Sequence, residues 1–143
     1  MGVAPPQPPA WLTLHDQAAS APAGVPVPGP ATRTRAALHG TLADALGLPS
    51  WYGRNWDALA DVLADRLDTG PLTLVVTGAA NLLADEPPAQ LGTLLDVLGA
   101  VAAGGHETLR VVLCEQPERL PALRARIAAA LGGHVGAPPS DAT

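Results

Sequence analysis

The chain has 143 residues and a mass of 14.4 kDa, a size that fills one hydrophobic core and leaves no room for a second. A 48% hydrophobic content and a mean hydropathy of +0.20 exclude wholesale disorder, while the lack of a membrane-length apolar run or an export-type start predicts a cytoplasmic protein. Eight Lys+Arg against thirteen Asp+Glu give a net charge of -5, which opposes binding of nucleic acid and favours a cationic partner.

Residues 1–31 form a Pro-rich segment, since Pro5, Pro6, Pro8, Pro9, Pro22, Pro26, Pro28 and Pro30 all fall there, and most of it is expected to be loop. Within it, Trp11 to His15 alternates as a short strand at a sheet edge would. The folded domain is expected over residues 32–133, with a flexible tail at 134–143.

Between Thr34 and Leu46, leucines recur at every fourth position (Leu38, Leu42, Leu46). Thr34 is placed to cap this first helix, and Gly47 with Pro49 to stop it. The segment Ser50 to Asn55 is a short loop in which Gly53 is free to take positive φ, and Asn55 can cap a second helix over Trp56 to Leu67. Pro71 to Thr77 is a β-branched apolar run of the buried-strand type. A short helical turn is expected at Asn81 to Ala84. A third helix over Pro87 to Ala103 aligns Leu91, Leu94, Leu95 and Leu98 and stops at Gly104-Gly105. Thr108 to Cys114 is another buried-type strand. A last helix from Pro117 to Leu131 stripes Leu120, Leu123, Ile127 and Leu131 before Gly132-Gly133. Successive strand, helix and strand imply parallel pairing through a right-handed crossover, and so an α/β sheet packed by helices.

The aromatic residues are unevenly placed. Of three Trp, one Tyr and no Phe, Trp51, Tyr52 and Trp56 lie within six residues. Such rings either plug the gap between the first two helices, which suits the apolar phase of Trp56, or meet a partner, which is the reading for Trp51.

The second helix resolves by angle. With Asp57 at zero and about 100° per residue, Asp61, Asp65 and Asp68 fall near 40°, 80° and 20°, whereas Leu59, Leu63, Trp56 and Leu67 fall near 200° to 280°. One face packs and the other displays carboxylates. Residues 55–68 carry a local charge of -3, and the i,i+4 pairs Asp57–Asp61 and Asp61–Asp65 repel by about 0.2 to 0.5 kcal/mol each. A plain solvated face would more naturally use Glu, a better helix former. The short aspartates next to the aromatic loop therefore read as an anionic contact surface.

The run Leu48-Pro49-Ser50-Trp51-Tyr52-Gly53-Arg54-Asn55-Trp56-Asp57-Ala58-Leu59, followed by Asp61 and Leu63, resembles the signature loop and helix of the barstar family, intracellular inhibitors of secreted microbial ribonucleases. The resemblance implies an α/β fold with a small three-stranded parallel sheet, extended here by an extra C-terminal helix. It implies inhibition by substrate mimicry, with an acidic helix face entering the cationic cleft of a small basic ribonuclease in a one-to-one complex of a monomer. The matching positions make Trp51, Tyr52, Gly53, Asn55, Asp57, Asp61 and Asp65 the expected partner-binding residues. Asp61 corresponds to the group in the phosphate site, Asp57 to one that pairs with nearby basic groups of the enzyme, and Trp51 to an aromatic covering the catalytic histidine. Ala60 stands where the founding member has a tryptophan, and Ala100 where it has an acidic contact, so the target is expected to differ.

Other classes fare worse. Cys114, ending a strand, has no nucleophile-elbow glycines around it and reads as a buried thiol, so no catalytic residue is expected. The four histidines and single cysteine lack metal-site spacing, and neither GxGxxG nor GxxxxGK[ST] occurs, so neither metal nor cofactor is expected. An adaptor or immunity protein docking a basic partner that is not a ribonuclease would explain the charge equally well.

Overall fold

In the computed structural model, which describes residues 8–19 and 22–135, eight regular elements alternate around one sheet. Strand β1 (Leu12–Asp16) and strand β2 (Val25–Pro28) precede helix α1 (Arg35–Leu46) and helix α2 (Trp56–Leu67). Strand β3 (Leu72–Thr77), helix α3 (Pro88–Gly104), strand β4 (Leu109–Glu115) and helix α4 (Leu120–Val135) follow. Short 3-10 turns at Gly29–Thr32, Ala79–Asn81 and Pro117–Arg119 join them.

The sheet has four strands in the order β1-β4-β3-β2, all parallel. This corrects the expected count of three. The α/β class holds, and the edge strand expected near Trp11 is β1, with Leu12 opposite Val111. The unexpected strand is β2, whose sequence VPVP looks like loop. It lies at the other edge, with Val25 opposite Leu74 and Val27 opposite Val76. Prolines at alternate positions of an edge strand can both turn their missing N–H groups outward, so no ladder bond is lost.

Both helices that carry the site begin and end on local signals. The Thr34 hydroxyl accepts from the Ala37 N–H at 3.1 Å. Gly47 (φ 62°) closes α1 in the left-handed conformation, with its N–H on Ala43 and Asp44 carbonyls, a backbone that glycine adopts without cost. The Asn55 side chain accepts from the Ala58 N–H at 2.8 Å, which satisfies one of the first orphan donors of α2. Leu59, Val62, Leu63 and Leu67 point α2 into the core, against α3 and the leucines and valines of β3 and β4. Full burial of three of these leucines (0% exposed) stabilises the fold by about 1.5–3 kcal/mol per side chain before entropy is counted.

Three boundaries differ from expectation. The short helical turn expected at Asn81 to Ala84 is a 3-10 turn at Ala79–Asn81, Pro117–Arg119 is a 3-10 turn rather than the start of the last helix, and α4 runs through Gly132-Gly133 to Val135. Tail residues 136–143 lie outside the described residues. Gly104-Gly105 does end α3, with the Gly105 N–H on the Val101 carbonyl.

Candidate functional site

The loop between α1 and α2 turns two neighbouring aromatics in opposite directions. Trp51 is 73% exposed, a rare position for so large an apolar ring. Tyr52, expected at the partner surface, is only 5% exposed. A backbone bond from the Tyr52 N–H to the Pro49 carbonyl (3.0 Å) folds the loop back. The phenol then reaches α1, where its oxygen lies 2.5 Å from Nδ1 of His39.

His39 is the residue that sequence reasoning missed. It is 1% exposed, with ring centroids 5.7 Å from Tyr52 and 5.2 Å from Trp56. Its one signal in the sequence is its place beside the Leu38 and Leu42 stripe. Burial holds the imidazole below its ordinary value, with the charges of Arg35 and Arg54 adding to the effect. Burial likewise pushes the Tyr52 phenol up to about 12, with the Arg54 charge opposing it. Both groups are therefore neutral at neutral pH. Together they pin the loop that carries Trp51 to α1. Trp56 is half-buried against this pair, as the plug reading has it.

The loop's left-handed residue is Arg54 (φ 53°) and not Gly53. Gly53 lies close to the start of α2: a Cβ there would lie 3.3 Å from Nδ2 of Asn55, a tight contact, and 3.5 Å from the Cβ of Ala58, an ordinary one.

Alongside that turn runs a groove of about 590 Å³, lined by Trp51, Gly53, Ala58, Asp61, Val62, Ala64 and Asp65. The structure thus brings together Trp51, Gly53, Asp61 and Asp65 from the expected set. Asp57 is exposed one turn earlier on the same helix and does not line the groove. Asn55 acts through its cap. Ala58, Val62 and Ala64 form walls that charge-based reasoning could not single out; Ala60 is half-buried and Ala100 exposed.

Among the described residues, no hydrogen bond or ion pair engages the side chains of Asp57, Asp61 or Asp65. The remaining charges of α2 are occupied. Asp68 meets Nδ1 of His106 at 2.5 Å. Arg66 donates to Thr69 Oγ1 (3.2 Å) and to the carbonyls of Gly70 (3.0 Å) and Pro71 (3.3 Å). Asp85 takes two bonds from Arg33 (3.1 and 2.8 Å). A row of unpaired, hydrated carboxylates on a rigid helix can receive cations without first breaking internal contacts, which lowers the reorganisation needed on binding.

The strand ends offer no comparable chemistry. Cys114 is 1% exposed and burial pushes its thiol up, the opposite of an activated nucleophile. The Glu115 carboxylate is buried but satisfied, accepting from the N–H groups of Ala80 (2.9 Å) and Gln116 (2.7 Å). No group of metal-ligating residues occurs among the described residues, and none of their helices is long and apolar enough to cross a membrane.

No curated protein matches the sequence. The model of the family Barstar (barnase inhibitor) matches residues 25–115, a stretch that runs from β2 through β4 and contains the whole of the Trp51 loop and α2. With well over half of its length matched, the chain belongs to the barstar family of ribonuclease inhibitors.

Proposed function

We propose that this protein inhibits a small, basic, secreted microbial ribonuclease by stoichiometric occlusion, as a cytoplasmic immunity protein acting as a monomer in a one-to-one complex. The observation that carries the reading is the unpaired row Asp57, Asp61 and Asp65 beside the exposed ring of Trp51. Aspartates one helical turn apart have their Cβ atoms about 5–6 Å from each other, a spacing close to that of phosphates along a nucleic-acid strand, so cations arranged to bind RNA can bind the helix instead. Trp51 supplies a rigid apolar anchor at the edge of that row. Turnover has no part in this mechanism, since the chain only has to fill the cleft.

Titration of the protein into small basic ribonucleases, with RNA cleavage as readout, tests the reading. Inhibition should saturate at one equivalent and weaken by more than about a hundredfold in the Asp57→Ala/Asp61→Ala double variant. Inhibition that survives the double substitution would place the contact elsewhere. A tight complex with a basic protein that leaves its nuclease activity intact would favour an adaptor.

A further inference from the structure

The acidic site carries one residue of the wrong sign. Arg54 sits inside the signature loop, between the exposed Trp51 and the capping Asn55, and is itself exposed. Arg66, the other arginine adjoining α2, is held in the turn that follows the helix. Among the described residues, the Arg54 guanidinium has neither a hydrogen bond nor an ion pair.

Its place is defined by α1. Nη1 of Arg54 lies 3.4 Å from the point that a Cβ on Gly40 would occupy, so the side chain lies against the first helix and forms no ion pair with the carboxylate row. Arg35 stands one turn before His39 on the same helix and is also exposed. Its backbone N–H is taken by Glu86 (2.8 Å), but its guanidinium is in no ion pair among the described residues. Both cations act on the buried His39 between them. The backbone of Arg54 adds a further cost, because φ 53° is a conformation that residues with a Cβ adopt reluctantly.

The surface is therefore bipolar, with carboxylates on the α2 side of the loop and an unpaired guanidinium on the α1 side. Against a uniformly cationic cleft this cation would be repelled just where the aspartates are drawn in. We infer that Arg54 receives a carboxylate side chain of the ribonuclease, so that the partner's cationic cleft is bordered by an acidic residue opposite the α1 side of the Trp51 loop. This rests on the inhibitor reading above and specifies which ribonucleases fit: those lacking the acidic border are rejected by an unpaired, desolvated guanidinium.

The test uses the full chain and the ribonuclease that it inhibits most strongly among small basic secreted bacterial enzymes. Inhibition constants are compared for wild type, Arg54→Gln, Arg54→Glu, Arg54→Lys and Asp61→Ala, each checked by thermal melting. The inference expects about tenfold weaker inhibition for Arg54→Gln, about a hundredfold or more for Arg54→Glu, and affinity within about threefold of wild type for Arg54→Lys, which keeps the charge and the same backbone demand. Unchanged inhibition by the Gln and Glu variants, with Asp61→Ala still impaired, would put Arg54 outside the interface and overturn the inference alone. Tighter inhibition by Arg54→Glu would show that Arg54 faces cations, and would overturn it equally. Lysine failing as badly as glutamine would make the residue's role one of shape rather than charge. Intact inhibition by Asp61→Ala, or inhibition of no ribonuclease, would remove the reading on which the inference rests.

Discussion

Acidification should loosen this fold through a single buried imidazole. His39 is 1% exposed, and its Nε2 is buried with no hydrogen-bond partner. The imidazolium carries an N–H on both ring nitrogens, so the one at Nε2 would have nothing to accept it, and the charge would stand beside those of Arg35 and Arg54. The other groups facing the ring, Tyr52 and Trp56, offer no anion. Since the folded state holds His39 below its ordinary value of 6.5, it binds fewer protons than the unfolded chain. The stabilisation is fully present above about pH 6.5 and is lost as pH falls through that value, until the folded-state imidazole itself protonates. One such group changes stability by at most about 1.4 kcal/mol per pH unit. Between about pH 6.5 and pH 5 the loss is therefore bounded by about 2 kcal/mol, or about 4–8 °C in melting temperature for a chain of this size. Urea unfolding followed by tryptophan fluorescence, at half-unit steps of pH, reads this directly. His39→Gln can keep a bond to Tyr52 but cannot titrate, so wild type should lead the variant at pH 7.5 and the gap should close below pH 6.5. Parallel stability curves for the two proteins would refute the assignment of the acid sensitivity to His39.

Three further outcomes follow from the same geometry. Trp51→Ala should weaken ribonuclease inhibition at least about tenfold while leaving the melting temperature unchanged, because the ring is 73% exposed; a lost melting transition would mark it as core. Asn55→Ala removes the cap on the Ala58 N–H and should cost about 1 kcal/mol in chemical denaturation, with α2 helicity lowered at its first turn. Association with the ribonuclease, measured by stopped-flow, should slow about tenfold or more between about 0.05 and 0.5 M salt, as screening shortens the reach of the aspartate row. An on-rate indifferent to salt would argue against electrostatic capture. For these comparisons Asp44→Ala is the appropriate control, because Asp44 is exposed on α1, whereas Asp85 is held by Arg33.

The signals that were legible in the chain were local ones. Thr34 and Asn55 mark the starts of α1 and α2, Gly47 marks the end of the first, and the leucine stripes set which face packs. The outward aspartate row of α2 follows from helical periodicity alone, since the angle between residues on one helix does not depend on the rest of the fold. For the same reason the apolar runs of β3 and β4 were readable within a residue of their ends. What lay beyond reach depended on residues far apart in sequence. The proline-laden VPVP segment is a strand only because β3 offers it an edge. Tyr52 turns inward because His39, 13 residues away, waits beneath it. Gly132-Gly133, unlike Gly104-Gly105, does not break its helix. Likewise, which aspartates remain free for a partner was decided by His106 reaching Asp68 and Arg33 reaching Asp85. Sequence determined the family signature and the polarity of the helix that displays it, because both are written within a few turns of chain. Tertiary structure alone decided which charges are paired and which way the loop's side chains point, because those choices are settled by neighbours that only folding brings together.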